Sequence, residues 1–239
     1  MATASERERC VTGIEGLDNI LGGGIPTNNI VLVAGSDGTG KTTLAFEFLV
    51  RGAVSGENGV LITTVESKSK LLANIPSLVF YDEKMLGKQL SIITLKELID
   101  GTDKPVGKAD EPAMDKIITS IEKLVVGAKA KRLVIDSIDT ILPDEKEDRL
   151  NTYFLTALSE MLHKHSSTAV LVSKASTADS GIGSVVDGII QMSNLERKGD
   201  LLRTMQVPKM KGTAHSRAKY VIDLTSAGVL VTTLLKGGI

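Results

Sequence analysis

The sequence predicts an α/β fold: a mostly parallel central sheet flanked by helices, with antiparallel strands added at the C-terminal end. Three observations lead there. Four apolar runs of strand length, at residues 30–34, 60–64, 132–136 and 169–173, are rich in Val, Ile and Leu. Helical patterns separate them, and strands alternating with helices build a parallel sheet. From residue 188 onward the runs GII, LLRTMQV, KYVIDL and GVLV follow one another without an intervening helix, as antiparallel strands do.

Taken in order, residues 1–10 (MATASERERC) are polar and expected to be loose, so residues 1–12 read as a flexible N-terminal segment. Residues 13–239 read as a single domain, because neither an internal repeat nor a linker interrupts them. GIEGLDNILGGGIP (13–26) carries Gly and Pro punctuation and suggests a turn-rich lead-in, not a long helix. The run IVLVA (30–34), a Gly-rich turn, a helical stretch at 41–50 and VLITT (60–64) make a βαβ unit. Residues 65–112 are less regular, and DGTDKPVGKADEP (100–112) reads as a polar loop.

Met114, Ile117, Ile118, Ile121, Leu124 and Val125 then fall at helical spacing, ending near Gly127. Leu150, Tyr153, Phe154, Leu158, Met161 and Leu162 mark a second amphipathic helix. Both stripes are expected to be core faces docked on the sheet. His163 and His165, two apart at a helix end, do not share a face; they suit a helix C-terminus as cations better than they suit a metal. A Gly/Ser-containing loop is expected at 176–184.

Composition narrows the function classes. The chain has 239 residues, 42% of them hydrophobic and 24% charged, enough for a well-buried core of ordinary type. Aromatic residues make up 3%, so that core must be built from Val, Ile, Leu, Met and Ala. A net charge of −1 argues against a surface dedicated to nucleic acid. Cys10 is the single cysteine, which excludes a disulfide framework and fits a reducing compartment. The N-terminus lacks a signal-peptide apolar stretch and no segment is long enough to span a bilayer, so a cytoplasmic location without membrane insertion is expected.

The chemistry is concentrated in GSDGTGKT (35–42), which matches the phosphate-binding pattern GxxxxGK[ST] at Gly35, Gly40, Lys41 and Thr42. The match lies between an apolar strand and a helix, as its mechanism requires. Backbone N–H groups of Gly35, Ser36, Asp37, Gly38, Thr39 and Gly40 can curl inward at phosphates, and the helix N-terminus from Lys41 to Thr43 adds partial positive charge. Lys41 is expected to reach the β- and γ-phosphates of ATP, and Thr42 to ligate Mg²⁺. A second Mg²⁺ anchor is expected at the end of a neighbouring strand, where Asp136 closes RLVID.

GIEGLDNILGGGIP, GSDGTGKT, RLVIDS, VDGII and KMKGTAHS (209–216) together resemble the KaiC-like proteins of the RecA superfamily of P-loop ATPases, in a single-domain form of archaeal type. The resemblance runs from about Gly13 to Val231, and KMKGTAHS is its most specific part. It implies a RecA-like P-loop fold, a hexameric ring and nucleotide at the seam between subunits. It further implies that Lys209, Lys211 and His215 contact the nucleotide of a neighbouring subunit, with Lys211 stabilising charge on the γ-phosphate. Pro208 agrees, since proline is confined to strand edges or ends and points to a sheet margin.

Two positions depart from the family pattern. Where relatives carry adjacent glutamates after the second strand, this chain has Val65 and Glu66. Valine cannot accept a proton, so Glu66 is left as the catalytic base, and adjacent strand residues are expected to face opposite ways. At the end of the fourth strand, where recombinase-type relatives often place Gln, stands Lys174, which can meet phosphate as a point charge but cannot orient water as an amide does.

Three functions follow from the resemblance: a slow ATPase acting as an oligomeric, nucleotide-switched regulator of a protein partner; a non-hydrolysing ATP-binding scaffold of the motility-apparatus type; and a DNA-binding recombinase paralogue. The last is disfavoured by the few residues before Gly13 and by the mainly acidic PDEKED (143–148).

Overall fold

Strands and helices form largely where the apolar patterning sets them. In a computed structural model the described residues are 8–74, 78–99, 110–142, 148–174 and 181–233. In chain order the elements are β1 (Arg9–Cys10), α1 (Leu17–Ile20), β2 (Ile25–Pro26), β3 (Ile30–Ala34), α2 (Lys41–Val54), β4 (Asn58–Thr63), α3 (Lys68–Asn74), β5 (Leu90–Thr94) and α4 (Leu95–Leu98). They continue with α5 (Glu111–Ala128), β6 (Ala130–Asp136), α6 (Asp148–His165), β7 (Thr168–Ser173), α7 (Gly181–Val185), β8 (Gly188–Arg197), β9 (Asp200–Met210), β10 (Lys219–Thr225) and β11 (Gly228–Thr233).

Nine strands make one sheet in the order β11-β10-β9-β8-β3-β7-β6-β4-β5. From β8 to β5 neighbouring strands are parallel, and β9, β10 and β11 add on antiparallel, as the change of pattern after residue 188 predicts. β3 is buried throughout, and its period of two divides it between two cores. Val31 and Val33 pack with Phe46, Leu49 and Val50 of α2 on one face. Ile30, Leu32 and Ala34 pack on the other with Ile117 and Ile121 of α5 and Leu158 and Leu162 of α6. Both amphipathic stripes are therefore core faces.

Several segments differ from expectation. β5 was hidden in the irregular stretch: LSIIT has a half-buried pattern, because as the sheet's last strand it is paired to β4 alone. Of the predicted polar loop, residues 100–109 lie outside the described residues, and α5 begins at Glu111 with the Asp110 side chain accepting from Ala113 N at 2.9 Å. Residues 175–180 of the predicted Gly/Ser loop also lie outside, whereas 181–185 are helical as α7. Residues 143–147 of PDEKED lie outside as well. In the N-terminal segment residues 1–7 are not described, and Arg9–Cys10 pair with Ile25–Pro26 where the sequence suggested a loose tail. Pro208 sits in an interior strand, but at a bulge and beyond the last β9–β10 pair, Lys219 with Gln206, where no ladder bond requires its missing N–H.

Two buried charges lock α2 to its surroundings. Arg132 on β6, 2% exposed, bonds Glu57 Oε2 at 2.6 Å and donates to the carbonyls of Phe48 and Val11, each at 2.7 Å. Glu47 accepts from Val229 N at 2.6 Å and pairs with Arg51 at 3.0 Å, tying α2 to the β10–β11 turn; burial raises its pKa. Gly52 exists in α2 to admit Arg132: a Cβ there would stand 2.8 Å from Arg132 Cζ and collide with Nε and Cδ. Gly52→Ala is thus expected to destabilise the fold and lower the unfolding midpoint, because about 1–3 kcal/mol of overpacking outweighs the ~1 kcal/mol of helix propensity that alanine adds. A denaturant titration with a raised midpoint would contradict this.

Candidate nucleotide site

The P-loop leaves the C-terminal end of β3 and turns into α2. Gly40, at φ 96°, caps α2 in the left-handed region that glycine tolerates. A Cβ at Gly35 would strike the Met192 carbonyl on β8, so only glycine lets the loop lie this close to the neighbouring strand. Ser36 O accepts from Lys41 Nζ at 2.7 Å and from Thr39 Oγ1 at 2.8 Å, and Arg203 Nε on β9 donates to Gly38 O at 3.1 Å.

These elements border a cleft of about 370 Å³ together with Thr43, Glu66, Asp136, Lys174 and Leu224. Thr42 Oγ1 donates to Asp136 Oδ2 at 2.7 Å, so the two predicted Mg²⁺ ligands meet. The Asp136–Ser137 peptide is cis. Lys41 is 7% exposed, and burial lowers its pKa against the pull of Asp37 and Asp136. Burial likewise raises the pKa of Asp136, offset by the Thr42 hydrogen bond and by Lys41. A buried ammonium and a buried carboxylate, each held back from its charged form by desolvation, regain it beside an opposite charge. The residues therefore fit a polyphosphate at Lys41 and a hard cation between Thr42 and Asp136.

Val65 and Glu66 both border the cleft. The strand alternation expected to separate them does not reach this far, because β4 ends at Thr63 and the two residues lie in the bend beyond it. Val65 is 67% exposed, and Glu66 lies 3.6 Å from Lys70 and is near enough to raise the pKa of Asp136.

Lys209, Lys211 and His215 are elsewhere. Lys211 N donates to Asp187 O and Asp187 N donates to Ile30 O, which puts Lys211 level with the start of β3. Gly35 is five residues further along, about 16 Å at ~3.3 Å per residue. Lys211 Nζ pairs with Asp187 Oδ1 at 3.2 Å, and Lys209 Nζ donates to Gly183 O and Ser184 O at 2.9 and 3.1 Å. Burial lowers the Lys209 pKa. His215 lies in the turn that Thr213 Oγ1 and Ser216 N tie to the Leu21 and Ile20 carbonyls, and its Nε2 is buried without a hydrogen-bond partner. The fold thus unites the P-loop, Asp136 and Glu66 at one end of the sheet and leaves the basic segment at the other.

Sequence reasoning missed Asp139. Its carboxylate accepts from Ser137 Oγ at 2.7 Å, Ser173 Oγ at 2.5 Å and Lys174 N at 2.8 Å, joining the ends of β6 and β7. Its place three residues after Asp136 was the available signal. Arg203 and Leu224 come from the antiparallel strands and carried none. His165 Nε2 bonds Glu122 Oε1 at 2.7 Å and His163 Nδ1 lies 2.9 Å from Ser159 O. Among the described residues no cluster of His, Cys, Asp and Glu could hold a metal on its own, and no helix is long and apolar enough to cross a membrane.

A family model described as "ATPase: KaiC" matches residues 10–236. The chain belongs to the KaiC ATPase family. It is therefore an ATP-binding, KaiC-like protein of RecA-type P-loop fold. A UPF0273 protein of Methanopyrus kandleri is 31% identical over 94% of this chain and 92% of its own length. The circadian clock protein KaiC2 of Synechocystis is 29% identical over 93% of this chain but only 40% of its own length, so this KaiC-family chain corresponds to one part of that longer protein. Among solved structures, a KaiC-like protein of Pyrococcus horikoshii superposes with a TM-score of 0.78 at 29% identity, covering 94% of this chain and 99% of that one.

Proposed function

We propose that this chain is a slow, Mg²⁺-dependent ATP hydrolase that works as a homo-oligomer, hexameric as the family resemblance implies, and whose ATP and ADP states switch a regulatory protein partner. The observation that carries the reading is the separation of the two halves of the site within one chain. Lys211 stands about 16 Å of strand from the P-loop and Lys209, level with Leu32, about 10 Å, a gap that their side chains, turned to Asp187 and to the Gly183 and Ser184 carbonyls, do not cross but that a second copy in a ring closes. Each subunit then supplies the P-loop, Thr42, Asp136 and Glu66 to its own nucleotide, and Lys209, Lys211 and His215 to its neighbour's.

Within that site Lys41 binds the β- and γ-phosphates, and Thr42 and Asp136, which meet at 2.7 Å, would hold Mg²⁺. When bound, Mg²⁺ neutralises phosphate charge. Glu66 accepts the proton of the attacking water, and Lys211 of the neighbour stabilises negative charge on the γ-phosphate. Val65 in the place of a second glutamate makes turnover slow. The proposal includes a cytoplasmic setting, in keeping with Cys10 being a buried thiol whose pKa burial raises to about 11.

Val65 also favours a second reading, a nucleotide-bound scaffold without hydrolysis. Turnover of size-resolved oligomer with Mg²⁺ separates the two. The hydrolase reading expects measurable wild-type turnover, a loss of about 10²-fold or more in Glu66→Gln, the usual worth of a general base, and a gain in Val65→Glu. Tight ATP binding with turnover appearing only in Val65→Glu would make the protein a scaffold.

A further inference from the structure

Asp37 is the one acidic residue in GSDGTGKT, and it sets a negative charge where a polyphosphate must lie. Lys174 Nζ stands 3.4 Å from both Asp37 carboxylate oxygens, and the two residues border the cleft together. Lys174 directly follows β7, the strand between the P-loop strand β3 and the Asp136 strand β6, and borders the same cleft as Lys41 and Asp136. Its main chain is anchored, since Lys174 N donates to Asp139 Oδ2 at 2.8 Å and Asp139 is itself held by Ser137 and Ser173. Its side chain is 61% exposed and paired with an Asp37 carboxylate that is 77% exposed. Exposed pairs of this kind contribute little, whereas an ammonium on a phosphate oxygen makes a charge-assisted contact about twice as strong as a neutral one.

We propose that Lys174 binds the terminal phosphate of ATP and that Asp37 holds Lys174 in reserve when that phosphate is absent. With ADP, or with no nucleotide, Lys174 stays on Asp37. With ATP it transfers to the γ-phosphate, and the anchored backbone lets only the side chain swing. The pair thereby sets the preference for ATP over ADP and opposes binding of either nucleotide through the charge of Asp37. This inference rests on the ATP-binding reading of the cleft and adds to it a phosphate-sensing residue.

The test is calorimetric titration of the intact oligomer with Mg²⁺–ADP and with the non-hydrolysable triphosphate AMP-PNP. The variants are Lys174→Met, Asp37→Asn and the double substitution, each checked for unchanged melting. Lys174→Met is expected to weaken AMP-PNP binding about tenfold, the value of one charge-assisted contact, and ADP binding less than about twofold. Asp37→Asn is expected to raise the AMP-PNP-over-ADP ratio in the wild type and to leave it unchanged when Lys174 is already Met. Equal effects of Lys174→Met on the two nucleotides, with wild-type binding intact, would overturn the proposal alone. Failure of the wild type to bind either nucleotide would overturn the reading of the cleft and the proposal with it.

Discussion

Replacing Lys41 with alanine is expected to lower ATP affinity by about a hundredfold and to abolish turnover, while the protein remains folded. Lys41 is 7% exposed, and its ammonium makes one hydrogen bond, to Ser36 O of its own loop. That bond lies within the loop, so removing it affects the fold little. With ATP bound, the same group meets β- and γ-phosphate oxygens in a partly desolvated cleft. Two charge-assisted contacts at about 1.5 kcal/mol or more each amount to roughly a hundredfold in affinity. Titration with ATP measures the loss, and unfolding of the ligand-free variant near the wild-type midpoint shows that it is local. ATP binding within a few-fold of wild type would mean that Lys41 does not hold the phosphates.

The second large effect falls on stability. Arg132→Leu is expected to destabilise the fold by about 3 kcal/mol, at the lower end of what breaking a buried ion pair costs. The guanidinium joins three segments: α2 through Phe48 O, the N-terminal lead-in through Val11 O, and Glu57 after α2. It also stacks over the Phe48 ring at 4.6 Å. Leucine keeps some packing but satisfies neither carbonyl, while Glu57, which is 38% exposed, is rehydrated and limits the loss. Because α2 begins in the P-loop, ATP binding should weaken in parallel, through a loosened helix and not through a lost contact. Denaturant unfolding reads the effect, and a shift below about 1 kcal/mol would show that the network is not fully formed in solution.

Where one face or stripe had to be buried, the sequence was informative. IVLVA, RLVID and AVLVS lie within or coincide with β3, β6 and β7, because strands covered on both faces read as unbroken apolar runs. Gly35, Gly40, Lys41 and Thr42 were legible because a phosphate cradle demands those residue types in that order, and Asp136 because a strand-end acid beside a P-loop has a chemical reason to be there. β5 was not legible, since an edge strand is buried on neither a full face nor a full length. Nor was Arg132: a charge inside a strand pattern reads as surface until its three partners, 75 to 121 positions away, are brought to it. The separation of Lys211 from the P-loop was equally hidden. It depends on β8 and β9 forming a hairpin that returns the basic segment to the start of β3, and no local pattern encodes that return.

The central claim is that each ATP site is built from two subunits, and the most direct measurement is turnover in mixed oligomers. Lys41→Ala protein has an intact basic segment but no phosphate lysine, and Lys211→Ala protein has the reverse; each alone should be inactive. Re-assembled at equal ratio, the mixture should recover about a quarter of wild-type turnover, because one junction in four then joins a sound P-loop to a sound Lys211 in a head-to-tail ring. No recovery in confirmed mixed oligomers, or full activity of Lys211→Ala alone, would contradict the account.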